Sequence, residues 1–401
     1  MKLLQLNTTV NSGSTGRIAE DIGKMLMAKG HESWIAYGRG NQPSTSKPIR
    51  MGGKWDMARH GVITRLFDRH GFGSAAATRH LITRIRGIKP DLIHLHNIHG
   101  YYLNIDVLFG FLRSADLPVV WTLHDCWPFS GHCTYFDAVN CFRWKTGCFE
   151  CPNKRAYPQS WFWDRSKKNY LEKKRIFTGL SNMTLVAPSQ WMGRHLEQSF
   201  LKGYPVKVMY NGIDLDIFKP FPSDRIKSKY AVGDRKMILG VAGTWDRRKG
   251  LDDFVKLNQS IDKNIVIVLV GLNQSQLKTL PENMIGIPRT ENITELAEIY
   301  SAADVFVNPT YVDNFPTTNI EALACGTPVI TYNTGGSPEA VDADTGIVVE
   351  KADLKGLLAA VNTVLKNGRK RYKAACRYRA ERRFDSRERY GEYEKVYFDS
   401  F

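Results

Sequence analysis

Short, nearly continuous apolar runs rich in β-branched residues punctuate this chain, and a stretch of helical character follows each one. KLLQLN, SWIAYG, DLIHLH, PVVWTLH, MTLVAPS and VKVMYNG occupy the first half; KMILGVAG, NIVIVLVG, ADVFVNP and TPVITYN occupy the second. A strand that is apolar on both faces must be covered on both, and a parallel neighbour needs a crossover long enough to hold a helix. The pattern therefore predicts parallel sheets between helical layers, the doubly wound α/β class. A length of 401 residues exceeds one ordinary core, so the unit is expected twice. The stretch NGIDLDIFKPFPSDRIKSKYAVGDRK, with prolines, charges and little periodicity, marks the division. The expected domains are 1–213, with a cysteine-rich insertion at 126–152 and an aromatic-basic segment at 153–178, and 214–384. The helical tail 385–401 is expected to rejoin the first domain.

No apolar run approaches the ~20 residues of a membrane span. The N-terminus passes from a short apolar run into Asn and Thr rather than into a long apolar region with a cleavage site, so a cytoplasmic location is expected. The formal charge of +16 suits anionic partners such as nucleotides, lipid headgroups and polyphosphate linkers. The charged tail after Leu354 reads as a solvated helix pair, and nucleic acid is not expected as a partner.

Ligands of open α/β sheets sit beyond the carboxyl ends of the strands, and there the sequence is least ordinary. After the first strand, Gly13 and Gly16 allow close backbone approach at the start of a helix suited to a phosphate or a sugar hydroxyl. Their spacing is not the dinucleotide G-x-G-x-x-G. His94 and His96, two apart, share a face and read as packing residues, whereas His124 leaves its strand just before Asp125, where it can orient a sugar or share a proton. Arg247, Arg248 and Lys249 stand at a loop-to-helix junction, as a diphosphate leaving group requires. In NPTYVDNFPTTNIEALACGTPVI, Asp313 lies in a loop and Glu321 in the first turns of a helix that Thr317 or Thr318 can cap and Gly326 can end. Carboxylates accept from vicinal diols in pairs, so the two acids can hold two different sugar rings.

Together, the first glycine loop, VAPSQWM, YNGIDLDIFKP, RKG and the block DNFPTTNIEALACGTPVITYNTGGSPEAV resemble the family 4 retaining glycosyltransferases of the GT-B fold. The resemblance implies two facing Rossmann-like domains with a cleft between them and the nucleotide-sugar donor held mostly by the second. It implies that Lys249 with Arg247 or Arg248 neutralises the donor diphosphate and that Glu321 binds the ribose hydroxyls. Asp313 and the backbone of Phe315, Pro316 and Thr317 would face the donor sugar, His124 would sit near the anomeric centre, and Gly13 to Gly16 would close over the phosphates. The implied reaction proceeds with retention, without a catalytic metal, and with the acceptor proton passing to the departing phosphate. Two positions depart from the family pattern: Asp313 stands where Glu is usual, and Thr244 where Arg is common.

Cys133, Cys141, Cys148 and Cys151 follow Cys126 closely, and the last pair has the two-residue gap of a zinc knuckle. Similar cysteines appear in a polysaccharide-building branch of the resembled family. A structural zinc is the expectation, with reduced buried thiols or disulfides as alternatives. Downstream, Trp161, Phe162 and Trp163 adjoin Lys167, Lys168, Lys173, Lys174 and Arg175, a composition suited to an anionic membrane surface presenting a lipid-pyrophosphate-linked acceptor. The expected function is transfer of a sugar from a nucleotide-diphosphate donor to a hydroxyl of a growing bacterial surface polysaccharide. A GT-B-fold nucleotide-sugar epimerase or hydrolase and a basic zinc-bearing nucleic-acid binder are the alternatives.

Overall fold

Every ladder between the described strands is parallel, as strands buried on both faces demand. The computed structural model describes residues 1–40 and 42–401. It divides into two units, Met1–Tyr210 together with Tyr390–Phe401, and Asn211–Arg389. The first unit holds β1 (Lys2–Thr9), β2 (Glu32–Arg39), β3 (Lys47–Arg50), β4 (Leu92–Leu95), β5 (Val119–Thr122), β6 (Met183–Ala187) and β7 (Val206–Val208). The second holds β8 (Lys236–Val241), β9 (Ile265–Val270), β10 (Met284–Ile287), β11 (Val305–Asn308), β12 (Val329–Tyr332) and β13 (Gly346–Val349).

The sheet orders are β3-β2-β1-β4-β5-β6-β7 and β10-β9-β8-β11-β12-β13. In both, the chain winds outward in one direction, returns to the centre and winds outward in the other. At this reversal the loops after β1 and β4 in one sheet, and after β8 and β11 in the other, leave neighbouring strands with no helix crossing between them, the place where ligands of open α/β sheets bind. The central strands are entirely buried: LIHL of β4, VVWT of β5, VFVN of β11 and VITY of β12.

The first sheet is covered on one face by residues from the far end of the chain. Tyr390, Tyr393, Val396 and Tyr397 pack with Leu3, Ile18, Ile22, Leu92, Val120 and Val186. Two of these tyrosines also satisfy buried polar groups: Tyr393 Oη lies 3.1 Å from Thr122 Oγ1 and Tyr397 Oη 2.7 Å from His94 Nδ1. Although the tail reads as nearly continuous helix, it is broken at Asp385, where an extended residue separates helices Arg369–Phe384 and Ser386–Phe398 and bridges to Ile213. Only the dipeptide Asp-Ser hinted at this break. No helix among the described residues is long and apolar enough to cross a membrane.

Removing the Tyr397 hydroxyl leaves a buried His94 nitrogen without its partner. Tyr397→Phe is expected to lower the unfolding free energy by about 1–3 kcal/mol, measured by urea denaturation; an unchanged midpoint would show that this hydrogen bond contributes nothing.

Candidate active site

In the second unit, the reversal of strand order brings the cationic loop after β8 against the loop after β11. Asp246 accepts a hydrogen bond from the Lys249 N–H (3.1 Å) and so caps the short 3-10 turn Arg247–Lys249. The Arg248 carbonyl accepts from the Tyr311 N–H (2.8 Å) and the Thr310 hydroxyl (3.3 Å). Gly250 has φ +74°, and a Cβ there would meet the Pro309 carbonyl oxygen at 2.3 Å, so only glycine lets the loops approach this closely. The result is a half-buried ion pair: Lys249 Nζ donates to Asp313 Oδ2 at 2.5 Å. Two residues expected to serve different parts of a donor molecule therefore meet each other. Arg247 is exposed and Arg248 half-buried.

The same loop rests on the glycine turn after β12. A Cβ on Gly335, whose φ is +56°, would fall 1.7 Å from the Asp313 carbonyl oxygen. That carbonyl in turn accepts from the Gly336 N–H at 3.3 Å. Helix Thr317–Ala324 follows, and its N-cap is Pro316, not Thr317 or Thr318. Proline fits because its fixed φ suits the extended cap position, but it has no side chain to accept the first-turn N–H groups. The positive end of this helix lies directly after the Asp313 loop. The Phe315 carbonyl accepts from Asn211 Nδ2 at 3.3 Å.

Glu321 is buried, with the Tyr300 hydroxyl donating to Oε2 at 2.9 Å. Asn319, two residues earlier, is fully buried in a network with Asn308, Ser337 and Thr331. Tyr300 and Asn319 were not singled out from the sequence, because a tyrosine at an apolar helical position and an asparagine beside a threonine at a helix start carry no spacing signal.

In the first unit the carboxyl end of β1 is stitched to the loop after β4, with Thr8 Oγ1 donating to the His99 carbonyl (2.5 Å) and the Asn97 N–H donating to Asn7 Oδ1 (3.3 Å). Gly16 is buried where a Cβ would lie 2.8 Å from Thr9 Oγ1, which packing alone explains. Gly13, with φ +66°, has open space beside it at the start of the helix Gly13–Ala28, whose N-cap Ser12 makes no side-chain bond. His124 is half-buried, and its Nε2 lies 3.1 Å from His96 Nδ1. Desolvation pushes the His124 pKa down to about 4, against the pull of the Asp125 carboxylate. Asp125 is itself paired with His99, Oδ2 to Nε2, at 2.7 Å.

All seven cysteines are free thiols, so no disulfide is present. Cys133, Cys141, Cys148 and Cys151 line one pocket with His132, Phe136 and Trp144. The Gly131 N–H points at Cys148 Sγ, 3.1 Å away. Among the described residues, however, no group of three or more His, Cys, Asp or Glu side chains is arranged to hold a metal ion. Beside the pocket is Lys173. Unlike its exposed neighbours Lys167, Lys168 and Lys174, it is fully buried, donating to the Trp127 (2.7 Å) and Ser130 (3.0 Å) carbonyls over the Trp127 ring. It does not belong to the cationic surface in which the sequence placed it, because it occupies an inward position of helix Ser166–Phe177. Trp161, Phe162 and Trp163 are 49%, 70% and 61% exposed, so they are not core anchors.

Residues 15–217 match the model of Glycosyltransferase Family 4, and residues 222–383 that of Glycosyl transferases group 1. The chain belongs to glycosyltransferase family 4. This glycosyltransferase is 26% identical over 378 residues to WcaC of Escherichia coli (strain K12), whose name assigns it to colanic acid biosynthesis as a glycosyl transferase; the match spans 89% of each chain. It is 29% identical over 178 residues to the D-inositol 3-phosphate glycosyltransferase of Mycobacterium sp. (strain KMS), 41% of this chain and 40% of that protein. Its fold resembles sucrose-phosphate synthase from Thermosynechococcus elongatus, with TM-score 0.76, 18% identity, and 99% and 98% of the two chains covered. It also resembles HepE from Anabaena in complex with UDP-glucose, with TM-score 0.69, 14% identity and all of both chains covered. These likenesses establish the GT-B fold.

The contact of Gly335 with the Asp313 loop can be separated from the backbone cost of a positive φ. Gly233, φ +63° with nothing within 4 Å of a Cβ, is the reference. Gly233→Ala is expected to cost about 1 kcal/mol, and Gly335→Ala at least twice that because the loop must also move. Chemical denaturation of the two variants checks the difference.

Proposed function

We propose that this glycosyltransferase moves a sugar, with retention, from a nucleotide-diphosphate donor to a hydroxyl of a growing surface polysaccharide carried on a lipid pyrophosphate. The second unit would bind the donor and the first the acceptor. The observation that carries this reading is the Lys249–Asp313 pair at the switch point of the second sheet, beside a helix N-terminus whose cap residue is a proline. An ammonium and the positive end of a helix stabilise the charge that grows on a departing diphosphate. Asp313, which orients that ammonium, has its second oxygen for a sugar hydroxyl. Glu321, held by Tyr300, would take the ribose diol.

In the step itself the glycosidic C–O bond to the diphosphate breaks and its electron pair stays on the phosphate oxygen. The acceptor oxygen forms the new bond on the same face of the anomeric carbon and gives its proton to that phosphate. The WcaC likeness supports a polysaccharide acceptor, and the complex of HepE with UDP-glucose supports a nucleotide-sugar donor. The exposed Trp161, Phe162 and Trp163 beside Lys167, Lys168 and Lys174 support a peripheral site on an anionic membrane. A structural zinc at Cys133, Cys141, Cys148 and Cys151 is supported by the pocket that the four cysteines share.

Lys249→Ala is expected to lower kcat about 100-fold, and Glu321→Ala to weaken donor binding about tenfold. Near-normal kinetics in both variants would overturn the site. A panel of nucleotide sugars scored by thermal shift identifies the donor, since only a ligand of the folded state raises its stability. Elemental analysis of the purified protein should find one zinc per chain, and a chelator should lower its melting temperature. Metal-free protein of equal stability would leave the cysteines as buried thiols.

A further inference from the structure

Four hydrogen-bonded groups run in line from a helix backbone to His124, and the first fixes the direction of all the others. Gln5, fully buried on β1, has Nε2 at 2.7 Å from the Ala19 carbonyl oxygen. A carbonyl can only accept, so this end of the amide is the donor and Oε1 faces the other way. Oε1 lies 3.0 Å from His96 Nε2, which must therefore carry the proton. His96 is buried among His94 and His124, and burial holds it well below the usual imidazole pKa, so it is neutral and its Nδ1 is a bare lone pair. That lone pair, 3.1 Å from His124 Nε2, accepts the His124 proton. His124 Nδ1 is left as an acceptor, and it makes no hydrogen bond among the described residues. His94 lies outside this line: its two nitrogens are taken by Thr122 and Tyr397.

We propose that His124 meets its ligand as a hydrogen-bond acceptor through Nδ1, and that Gln5, acting through His96, sets this polarity. The inference rests on the reading that His124 lies beside the transferred sugar. The group it recognises is a sugar hydroxyl that donates; a deoxy sugar or a methyl ether at that position cannot satisfy it. Gln5 and His96 are positioning residues that never touch the ligand.

The test uses the full chain labelled with ¹⁵N-histidine, because long-range ¹H–¹⁵N spectra distinguish the two neutral tautomers. The wild type should show His124 protonated at Nε2. In Gln5→Leu, His96 Nε2 loses its acceptor and nothing sets the polarity of the line. His124 then exchanges between its two neutral tautomers, and kcat/KM falls by up to about tenfold, the value of one lost hydrogen bond. A merely structural Gln5 would change stability while His124 stays protonated at Nε2, and that result overturns the proposal, as does a wild-type His124 protonated at Nδ1. If Gln5→Leu fails to fold, His96→Asn and His96→Leu decide. Asn offers an oxygen to the His124 proton and keeps the tautomer, whereas Leu lets the forms mix; identical spectra overturn the relay. His124→Ala with undiminished turnover, beside an intact tautomer result, would instead overturn the placing of His124 at the sugar.

Discussion

Parallel pairing is the constraint on which the rest of this structure depends. Two parallel neighbours cannot be joined by a tight turn, so every strand must be followed by a crossover that returns the chain to its starting edge. All strands of a sheet therefore end on one side, and the loops that leave them gather there whatever their distance in sequence. Where the winding reverses, two such loops lie side by side with no helix crossing between them. In the second unit this brings Lys249 to Asp313, 64 residues away. In the first it brings the end of β1, at Asn7 and Thr8, to the loop after Leu95.

The convergence is held by backbone more than by side chains. The Arg248, Pro309 and Asp313 carbonyls are each approached by a neighbouring loop, and two of the approaches are possible only because residues 250 and 335 lack a Cβ. The position of the Lys249 ammonium is thus fixed before any ligand arrives, which is the condition under which a charge lowers a barrier rather than merely binding. The Asp at 313 gains a reason from the same geometry. Its carboxylate reaches Nζ at 2.5 Å, so the shorter acid is long enough for this contact.

Much of this was legible in the sequence because it rests on periodicity and punctuation. β-Branched runs marked ten of the thirteen described strands, missing the short outer strands β3, β10 and β13, and Gly326 was read correctly as ending the helix Thr317–Ala324, where its φ is +72°. What was not legible depends on which way a side chain faces. Lys173 looked like one more cation in a basic helix, yet the helix turns it inward onto two carbonyls. Pro316 displaced the threonines as cap because a fixed φ outweighed a hydroxyl. Gln5 and His96 are ordinary residues in apolar strands; their direction of donation exists only once β1, β4 and the helix Gly13–Ala28 are packed together.

The covering of the first sheet by Tyr390, Tyr393 and Tyr397 also sets an order of events during synthesis. Strands β1 to β7 are complete at Val208, but part of their covering layer is encoded after the whole of the second unit. At roughly 5–20 residues per second, the intervening segment Asn211–Arg389 takes about ten to forty seconds to emerge. For that interval Leu3, Leu92, Val120 and Val186 lack part of their cover, and the first unit closes only after the second has been made.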